Sequence, residues 1–193
     1  MDKSKYFEKE IEMLQDENLK DFVRCYLNED VPKYFWEIGA SASGKFHPKF
    51  SQGKGGLVRH TKAVVWFANE LIRSTFYYLD DIYKDYIILA CIVHDTAKYG
   101  MKDEIEKSEY SSHPENASNM VADCWSMFFR EEAPFVLLNA ISAHMGKWGK
   151  TKALTQIDRA VHLADYVASR NFIDIPEITE DYNKIAEIEK GGE

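Results

Sequence analysis

The most apolar stretch of the chain runs directly into a histidine and an aspartate. Residues 87–93 read Ile-Ile-Leu-Ala-Cys-Ile-Val, and His94 and Asp95 follow without a break. We expect a helix from about Tyr83 to Lys98, and we expect it to be the most buried helix, because it is apolar on nearly every side. Neighbouring side chains on a helix point about a hundred degrees apart. At a helix end, His94 and Asp95 can therefore address one metal ion from one side, with Asp95 reaching across to a second.

The rest of the chain also has the hydrophobic periodicity of helices. Apolar residues recur at helical spacing, and no alternation typical of strands appears. Glycine, serine, lysine and proline dominate residues 39–56 and predict a loop. We therefore expect one all-α domain over residues 1–193, with an N-terminal helical segment (1–38) and a C-terminal helix or tail (176–193). The other predicted helices cover residues 5–28, 57–75, 113–130, 134–146, 155–171 and 176–189.

Composition limits the partners of such a domain. A hydrophobic content of 45% over 193 residues suits a single core. The net charge of −8 disfavours long nucleic acid, which is bound through lysine and arginine, but a small anionic substrate remains compatible. No apolar run approaches the roughly 20 residues that cross a bilayer, and the first residues do not form a signal sequence. We expect a cytoplasmic protein without a membrane partner, and the oligomeric state stays open.

Four further candidate ligands lie tens of residues apart, at His60, His113, His144 and Asp165. Only the tertiary fold can bring them to one site. Imidazole and carboxylate together suit Mn, Fe, Co, Ni or Zn, whereas Mg and Ca prefer oxygen ligands. Asp165 lies among apolar residues, where an unpaired carboxylate is costly to bury and coordination would compensate. His113 is either a ligand or a helix cap, and His162 either orients Asp165 or is an ordinary core or surface histidine.

Five segments surround these residues: Gly55-Gly56-Leu57-Val58-Arg59-His60-Thr61, Ile92-Val93-His94-Asp95-Thr96-Ala97-Lys98, Ser112-His113-Pro114-Glu115, Ile141-Ser142-Ala143-His144 and Leu163-Ala164-Asp165-Tyr166. Together they resemble the HD-domain metal-dependent phosphohydrolase superfamily. The resemblance covers about residues 53–170. It implies a single HD-domain helical bundle with a metal site in its core, and a divalent metal cofactor of one or two ions.

The same resemblance implies a role for each candidate ligand. A first ion would be held by His60, His94, Asp95 and Asp165. Asp95 would bridge to a second ion, completed by His113 and His144. Many two-metal members have another histidine directly after the fourth one, where this chain has Met145. That departure leaves one protein ligand fewer, with a water or substrate oxygen in its place.

Asp95 and Lys98 are the predicted catalytic residues. Lys98 lies one helical turn beyond the His94–Asp95 pair, so we expect it to point at the same pocket and to stabilise charge in the transition state. A solvated lysine at a helix C-terminus is the alternative. Arg170 is expected to pair with a nearby acid.

Four residues are candidates for substrate binding: His47, Lys54, Lys147 and Trp148. His47 and Lys54 belong to a basic loop, with Lys45 and Lys49, which either recognises a phosphate tail or is merely exposed. Trp148 either stacks on a nucleobase or anchors the fold. The glycines at 53, 55 and 56 are expected to let this loop pass close to the metal pocket.

The resemblance implies hydrolysis of a phosphomonoester or phosphodiester by a metal-bound hydroxide. The motifs before His60 and after His144 are similar to those in the HD domain of bacterial 3′-5′ exoribonucleases. An acidic chain of this length, without an OB-fold domain, is expected to act instead on a nucleotide, a short oligonucleotide or a signalling nucleotide. Two alternatives stay open: a di-iron oxygenase of the same superfamily, and a non-catalytic HD module that binds a nucleotide.

Overall fold

The fold consists of helices joined by short loops. A computed structural model describes residues 2–41 and 47–191, excluding the side chains of residues 190 and 191. The α-helices found there are α1 (Glu8–Ile11), α2 (Glu17–Glu29), α3 (Gly56–Ser74), α4 (Asp81–Val93), α5 (His113–Phe129), α6 (Phe135–Ser142), α7 (Gln156–Ala168) and α8 (Pro176–Gly191). Short 3-10 helices cover Lys3–Phe7, Lys33–Trp36, Lys49–Ser51, Lys107–Ser112 and Gly146–Trp148. Over the described ranges the only strand-like pairing is an isolated bridge between Lys98 and Gly100, so the predicted all-α class is confirmed.

Helix α4 forms the centre of the core, as its apolar run predicts. Every residue from Ile87 to Val93 is buried. The helix packs against α3, α6 and α7. Helix α7 also packs against both α3 and α6. Helix α5 covers α6, while α2 and the residues before it close the other side of α4 and α5. In the described part of the chain, no helix is both long enough and apolar enough to cross a bilayer.

Helix α4 ends five residues before its predicted end at Lys98. Side chains compete for its last carbonyl groups: the Thr96 hydroxyl donates to Val93 O at 2.8 Å, and His94 Nδ1 lies 2.8 Å from Cys91 O. Such side chain to backbone bonds replace the next helical turn. The chain therefore leaves the helix at His94, and residues 94–97 form a turn. Helices α6 and α7 also end a few residues earlier than predicted.

The predicted N-terminal helix, residues 5–28, is interrupted between α1 and α2. The break is held by Asp85 of α4, whose carboxylate accepts the backbone N–H groups of Gln15 and Asp16 at 2.9–3.1 Å. Asp16 in turn caps α2, because its carboxylate accepts the N–H of Asn18 at 2.8 Å. A long-range partner and a local cap thus divide a segment whose hydrophobic spacing looks continuous.

Helix α8 packs against the start of α3 through a glycine. Gly55 has a φ of +67°, and a Cβ there would lie 1.9 Å from the Tyr182 hydroxyl oxygen and 2.2 Å from ring carbon Cζ. The Arg59 guanidinium lies 4.7 Å from the centre of the same tyrosine ring. Gly56 approaches the backbone of Ser51 just as closely. Gly55 and Gly56 therefore allow the close contacts with α8 and with the preceding loop.

We expect Gly55→Ala to destabilise the protein more than Gly53→Ala. Both glycines have a φ of +67°, but a Cβ at Gly53 meets nothing within 4 Å. The left-handed conformation costs each alanine about 1–2 kcal/mol. Gly55→Ala also has to displace Tyr182, which adds about 1–3 kcal/mol, the usual penalty of overpacking. Urea unfolding measures both values. Equal losses in the two variants would show that Tyr182 moves away freely.

Candidate metal centre

Helix ends converge at one end of the bundle and bring the six predicted ligands together. His60 lies in the second turn of α3, His94 and Asp95 at the end of α4, His113 at the start of α5, His144 just after α6 and Asp165 in the last turn of α7. Their side chains form two adjacent groups that share Asp95. The fold thus assembles residues that are far apart in the chain.

The first group contains His60, His94, Asp95 and Asp165. Nε2 of His60 lies 3.1 Å from Asp165 Oδ1, and Nε2 of His94 lies 3.9 Å from the same oxygen. Oδ2 of Asp95 lies 3.9 Å from His60 Nε2 and 3.6 Å from His94 Nε2. Two imidazole nitrogens and two carboxylate oxygens therefore face one small volume.

The second group contains Asp95, His113 and His144. The other carboxylate oxygen of Asp95, Oδ1, lies 3.2 Å from His113 Nε2 and 3.8 Å from His144 Nε2. The two histidine nitrogens are 3.0 Å apart. Asp95 thus presents one oxygen to each group, which is the arrangement of a carboxylate that bridges two cations.

Backbone carbonyl groups fix the tautomer of three of the imidazoles. Nδ1 of each ring donates to the carbonyl oxygen three residues earlier, at 2.8 Å for His94, 2.6 Å for His113 and 2.8 Å for His144. Because a carbonyl oxygen only accepts, Nδ1 carries the hydrogen, and Nε2 of the neutral ring carries a lone pair. An outer hydrogen bond of this kind is the usual way in which a protein orients a metal-binding histidine.

The lone pairs that result fit a divalent cation. Those of His113 and His144 face each other across 3.0 Å, and such a contact is repulsive unless a cation or a proton lies between them. Nε2 of His94 is buried and has no hydrogen-bond partner among the described residues. A buried acceptor without a partner is costly, and coordination would satisfy it. Imidazole nitrogens and carboxylate oxygens are also the donors that first-row divalent metals prefer.

Burial and local charge hold these groups in the forms that bind metal. Burial, with the neighbouring imidazoles, lowers the pKa of His144 to about 3, and burial also lowers the pKa of His94. Burial alone would raise the pKa of Asp95, but Lys98 and the adjacent imidazoles outweigh it and keep that pKa well below its usual value. The pKa of Asp165 is lowered in the same way, against the effect of burial, by its neighbouring histidines. At pH 7 the imidazoles of His94 and His144 are therefore neutral and both carboxylates are ionised, as metal binding requires.

Lys98 lies beside the ligands, where the sequence prediction expected it. Its ammonium group lies 2.5 Å from Asp95 Oδ2, and the residue is 4% exposed. Asp95 raises the pKa of Lys98 even though burial opposes this. The side chain reaches the site through the turn after α4, not through a further helical turn as predicted. A fixed positive charge therefore stands next to the carboxylate that both groups share.

A cavity of about 460 Å³ opens onto both groups, since His60, Asp95, His144 and Asp165 line it. Two of the four predicted substrate-binding residues, His47 and Trp148, line it. Burial, with the nearby His60 ring, lowers the pKa of His47 to about 4. Lys147 does not line the cavity; its ammonium group lies 4.6 Å from the centre of the Trp148 ring.

The placement of Lys54 corrects the prediction for the basic loop. Lys54 lines separate grooves beside Tyr182 of α8, and Lys49 shares one of them. This part of the loop faces α8 because Gly55 packs against Tyr182. Lys54 is therefore not part of the metal cavity. Lys45 lies outside the described residues.

An aromatic wall of the cavity was missed at the level of sequence. Tyr110 and Tyr166 line it, and the Tyr166 ring is stacked on Trp148 with centroids 6.0 Å apart and planes at 10°. The Arg170 guanidinium lies 4.2 Å from the centre of the Tyr166 ring. Arg170 makes no ion pair with any described carboxylate, so the predicted acid partner is not seen. The four-residue spacing of Tyr166 and Arg170, within the helix predicted to reach residue 171, was the available signal.

His162 also lines the cavity, but it supports His144 and not Asp165. Its Nδ1 donates to the His144 carbonyl oxygen at 2.6 Å. The ring lies directly over Gly146, where a Cβ would come within 2.3 Å of it. Gly146 has a φ of +55°, so the turn after α6 depends on glycine. His162 thus fixes the backbone turn that carries His144.

One comparison with known proteins gives a match. The family model of the HD domain matches residues 57–170, which is more than half of the chain. The chain therefore belongs to the HD domain family and to its superfamily of metal-dependent phosphohydrolases, as the motifs predict. Members of this family bind divalent metals, and both groups described above could hold one. A search of curated proteins and a search of solved structures found no match.

Proposed function

We propose that the protein is a metal-dependent phosphohydrolase that acts on a phosphoester of the nucleotide type, as a phosphomonoesterase or phosphodiesterase. The single observation that carries the proposal is the position of Asp95. Its two oxygens face two different histidine groups at the base of a cavity, and a buried lysine lies against one of them. Family membership supports hydrolysis as the reaction class.

In this proposal His60, His94, Asp95 and Asp165 hold a first ion, and Asp95, His113 and His144 hold a second. The nitrogen-rich donor set favours Mn, Fe, Co or Ni over Mg. When bound, divalent ions supply a nucleophile at neutral pH and neutralise charge on a phosphoryl group.

The protein groups orient the ligands and the substrate. Lys98 holds the Asp95 carboxylate and keeps a positive charge in a buried position, where it stabilises negative charge that develops on the phosphoryl oxygens. Outside the ligand groups, the charged side chains that line the cavity are cationic, although the chain has a net charge of −8. Such a cavity suits a small anion, and the Tyr166–Trp148 wall suits an aromatic base. Long nucleic acid and membranes are not among the proposed partners.

Metal-loaded protein is expected to hydrolyse simple phosphoesters. The protein is purified without chelators, its metal content is measured, and Mn²⁺-, Fe²⁺-, Co²⁺- and Ni²⁺-loaded samples are assayed with p-nitrophenyl phosphate, bis(p-nitrophenyl) phosphate and a panel of nucleotides. Release of p-nitrophenol or inorganic phosphate supports the proposal. Metal-loaded protein that leaves every ester intact contradicts it, and an oxygen electrode on the iron-loaded sample then reports whether the site consumes dioxygen instead.

A further inference from the structure

Arg170 lies at the wall of the metal cavity, on the aromatic pair formed by Tyr166 and Trp148. Its guanidinium lies 4.2 Å from the centre of the Tyr166 ring, and its Nε donates to the Tyr166 carbonyl oxygen at 3.0 Å. These two contacts fix the plane of the group and occupy Nε alone. The remaining guanidinium N–H groups of Arg170 donate to no protein group among the described residues, and Arg170 lines the cavity.

The charges around Arg170 are not balanced by protein carboxylates. The acids that line the cavity are Asp95 and Asp165, and both lie against the histidines of the metal groups. Asp95 is already paired with Lys98. Arg170 forms no ion pair with a carboxylate in the described ranges, so a half-buried cation faces the cavity without a counter-charge. A guanidinium with free N–H groups is well suited to bind a phosphate or carboxylate through two parallel hydrogen bonds.

Arg170 and Lys98 lie at different parts of the cavity wall. Helix α7 ends at Ala168, and Arg170 follows in the turn beyond it, against the Tyr166 ring. Lys98 is held at Asp95 instead, where it already supplies a positive charge next to the metal groups. The two cations therefore address different parts of a bound molecule.

We propose that Arg170 binds a second anionic group of the substrate, so that the preferred substrates are phosphoesters with two separate anionic groups. One group lies at the metal site, and the other lies at Arg170, with the part between them against Trp148 and Tyr166. A nucleoside with phosphates on both sides of its sugar has this form. The inference rests on the proposed function of the site and adds the substrate class.

The test compares two ligands that differ by one phosphate. The affinities of Mn²⁺-loaded protein for adenosine 5′-monophosphate and adenosine 3′,5′-bisphosphate are measured by calorimetry, and kcat/KM replaces Kd for a ligand that is hydrolysed. We expect the bisphosphate to bind about tenfold more tightly, the effect of one charge-assisted pair. In Arg170→Gln this preference should disappear, because only the bisphosphate has a second anionic group for residue 170 to bind. Arg170→Lys should restore part of the preference, because lysine keeps the positive charge but lacks the two parallel N–H donors of the guanidinium.

Arg159→Gln is the matched control, since Arg159 is an exposed arginine of α7 that does not line the cavity. It should keep the full preference. Equal affinity of the wild-type protein for the two nucleotides, or a preference that survives in Arg170→Gln, would overturn the inference. Neither result bears on hydrolysis of p-nitrophenyl esters, which tests the proposed function alone. Conversely, the affinity ratio remains decisive if no ester is hydrolysed.

Discussion

Asp95→Asn is expected to remove both metal ions and to lower kcat/KM by on the order of 10²- to 10³-fold or more, the loss that follows removal of a key electrostatic group. Asp95 is the only residue shared by the two metal-ligand groups that the described residues form. An asparagine offers one carbonyl oxygen and one amide donor, so it can serve at most one group, and without the negative charge. Metal content after gel filtration and steady-state kinetics with bis(p-nitrophenyl) phosphate measure the two effects.

Two variants separate the bridging role of Asp95 from other causes of metal loss. His144→Ala leaves Asp95 and the first group intact, so we expect about one ion per chain to remain. Asp123→Asn removes an exposed carboxylate of α5 outside the cavity and should retain both ions and full activity. A folded Asp95→Asn protein that still holds two ions would show that Asp95 does not bridge them.

Stability has to be checked as well, because Asp95→Asn leaves the buried ammonium group of Lys98 without its carboxylate. An unpaired buried charge is strongly destabilising. The double variant Asp95→Asn/Lys98→Gln replaces the ion pair by a neutral one of similar size, and we expect it to regain stability without regaining metal. If the double variant binds both ions, metal loss in the single variant reflects unfolding.

The ligand positions could be proposed from sequence because each lies within a short recognisable motif at a helix end. The turn that carries Asp95 and Lys98 could not, because it depends on side chains that compete for the last carbonyl groups of α4. The direction of the basic loop also could not be predicted from the sequence. It is set by the contact between Gly55 and Tyr182, which lies far away in the chain. Local patterns locate candidate residues, whereas long-range packing decides which cavity they reach.

The wall of the cavity illustrates the same limit at the level of function. Tyr166 and Arg170 have the spacing of neighbours on one helix face, which sequence alone reveals. Their importance becomes visible only once Trp148, from the turn after α6, is stacked on Tyr166. That Arg170 forms no ion pair with a described carboxylate is likewise a property of the fold. In our proposal, substrate preference is therefore encoded by contacts between elements, while the reaction class is encoded by the motifs.

Lys62→Met is expected to destabilise the protein by about 3–5 kcal/mol, the cost of breaking a buried ion pair. Lys62 lies on α3, and its residue is 2% exposed. Its ammonium group binds Glu10 at 2.7 Å, Asp181 of α8 at 2.8 Å and the Tyr6 carbonyl oxygen at 2.7 Å. Burial already raises the pKa of Glu10 despite this partner. Without the lysine, the carboxylates of Glu10 and Asp181 would face each other in the interior. Movement of α8 away from α3 would reduce their repulsion.

Lys9→Met is the matched control, because Lys9 binds the same Asp181 at 2.6 Å but has a side chain that is 70% exposed. Exposed ion pairs contribute about 0–1 kcal/mol, so this variant should unfold nearly like the wild type. Urea unfolding gives both free energies. Adding Glu10→Gln to Lys62→Met should restore part of the loss, because it removes one of the two unpaired charges. A Lys62→Met protein within 1 kcal/mol of the wild type would mean that water reaches this cluster, and α8 would then not depend on Lys62 for its position against the start of α3.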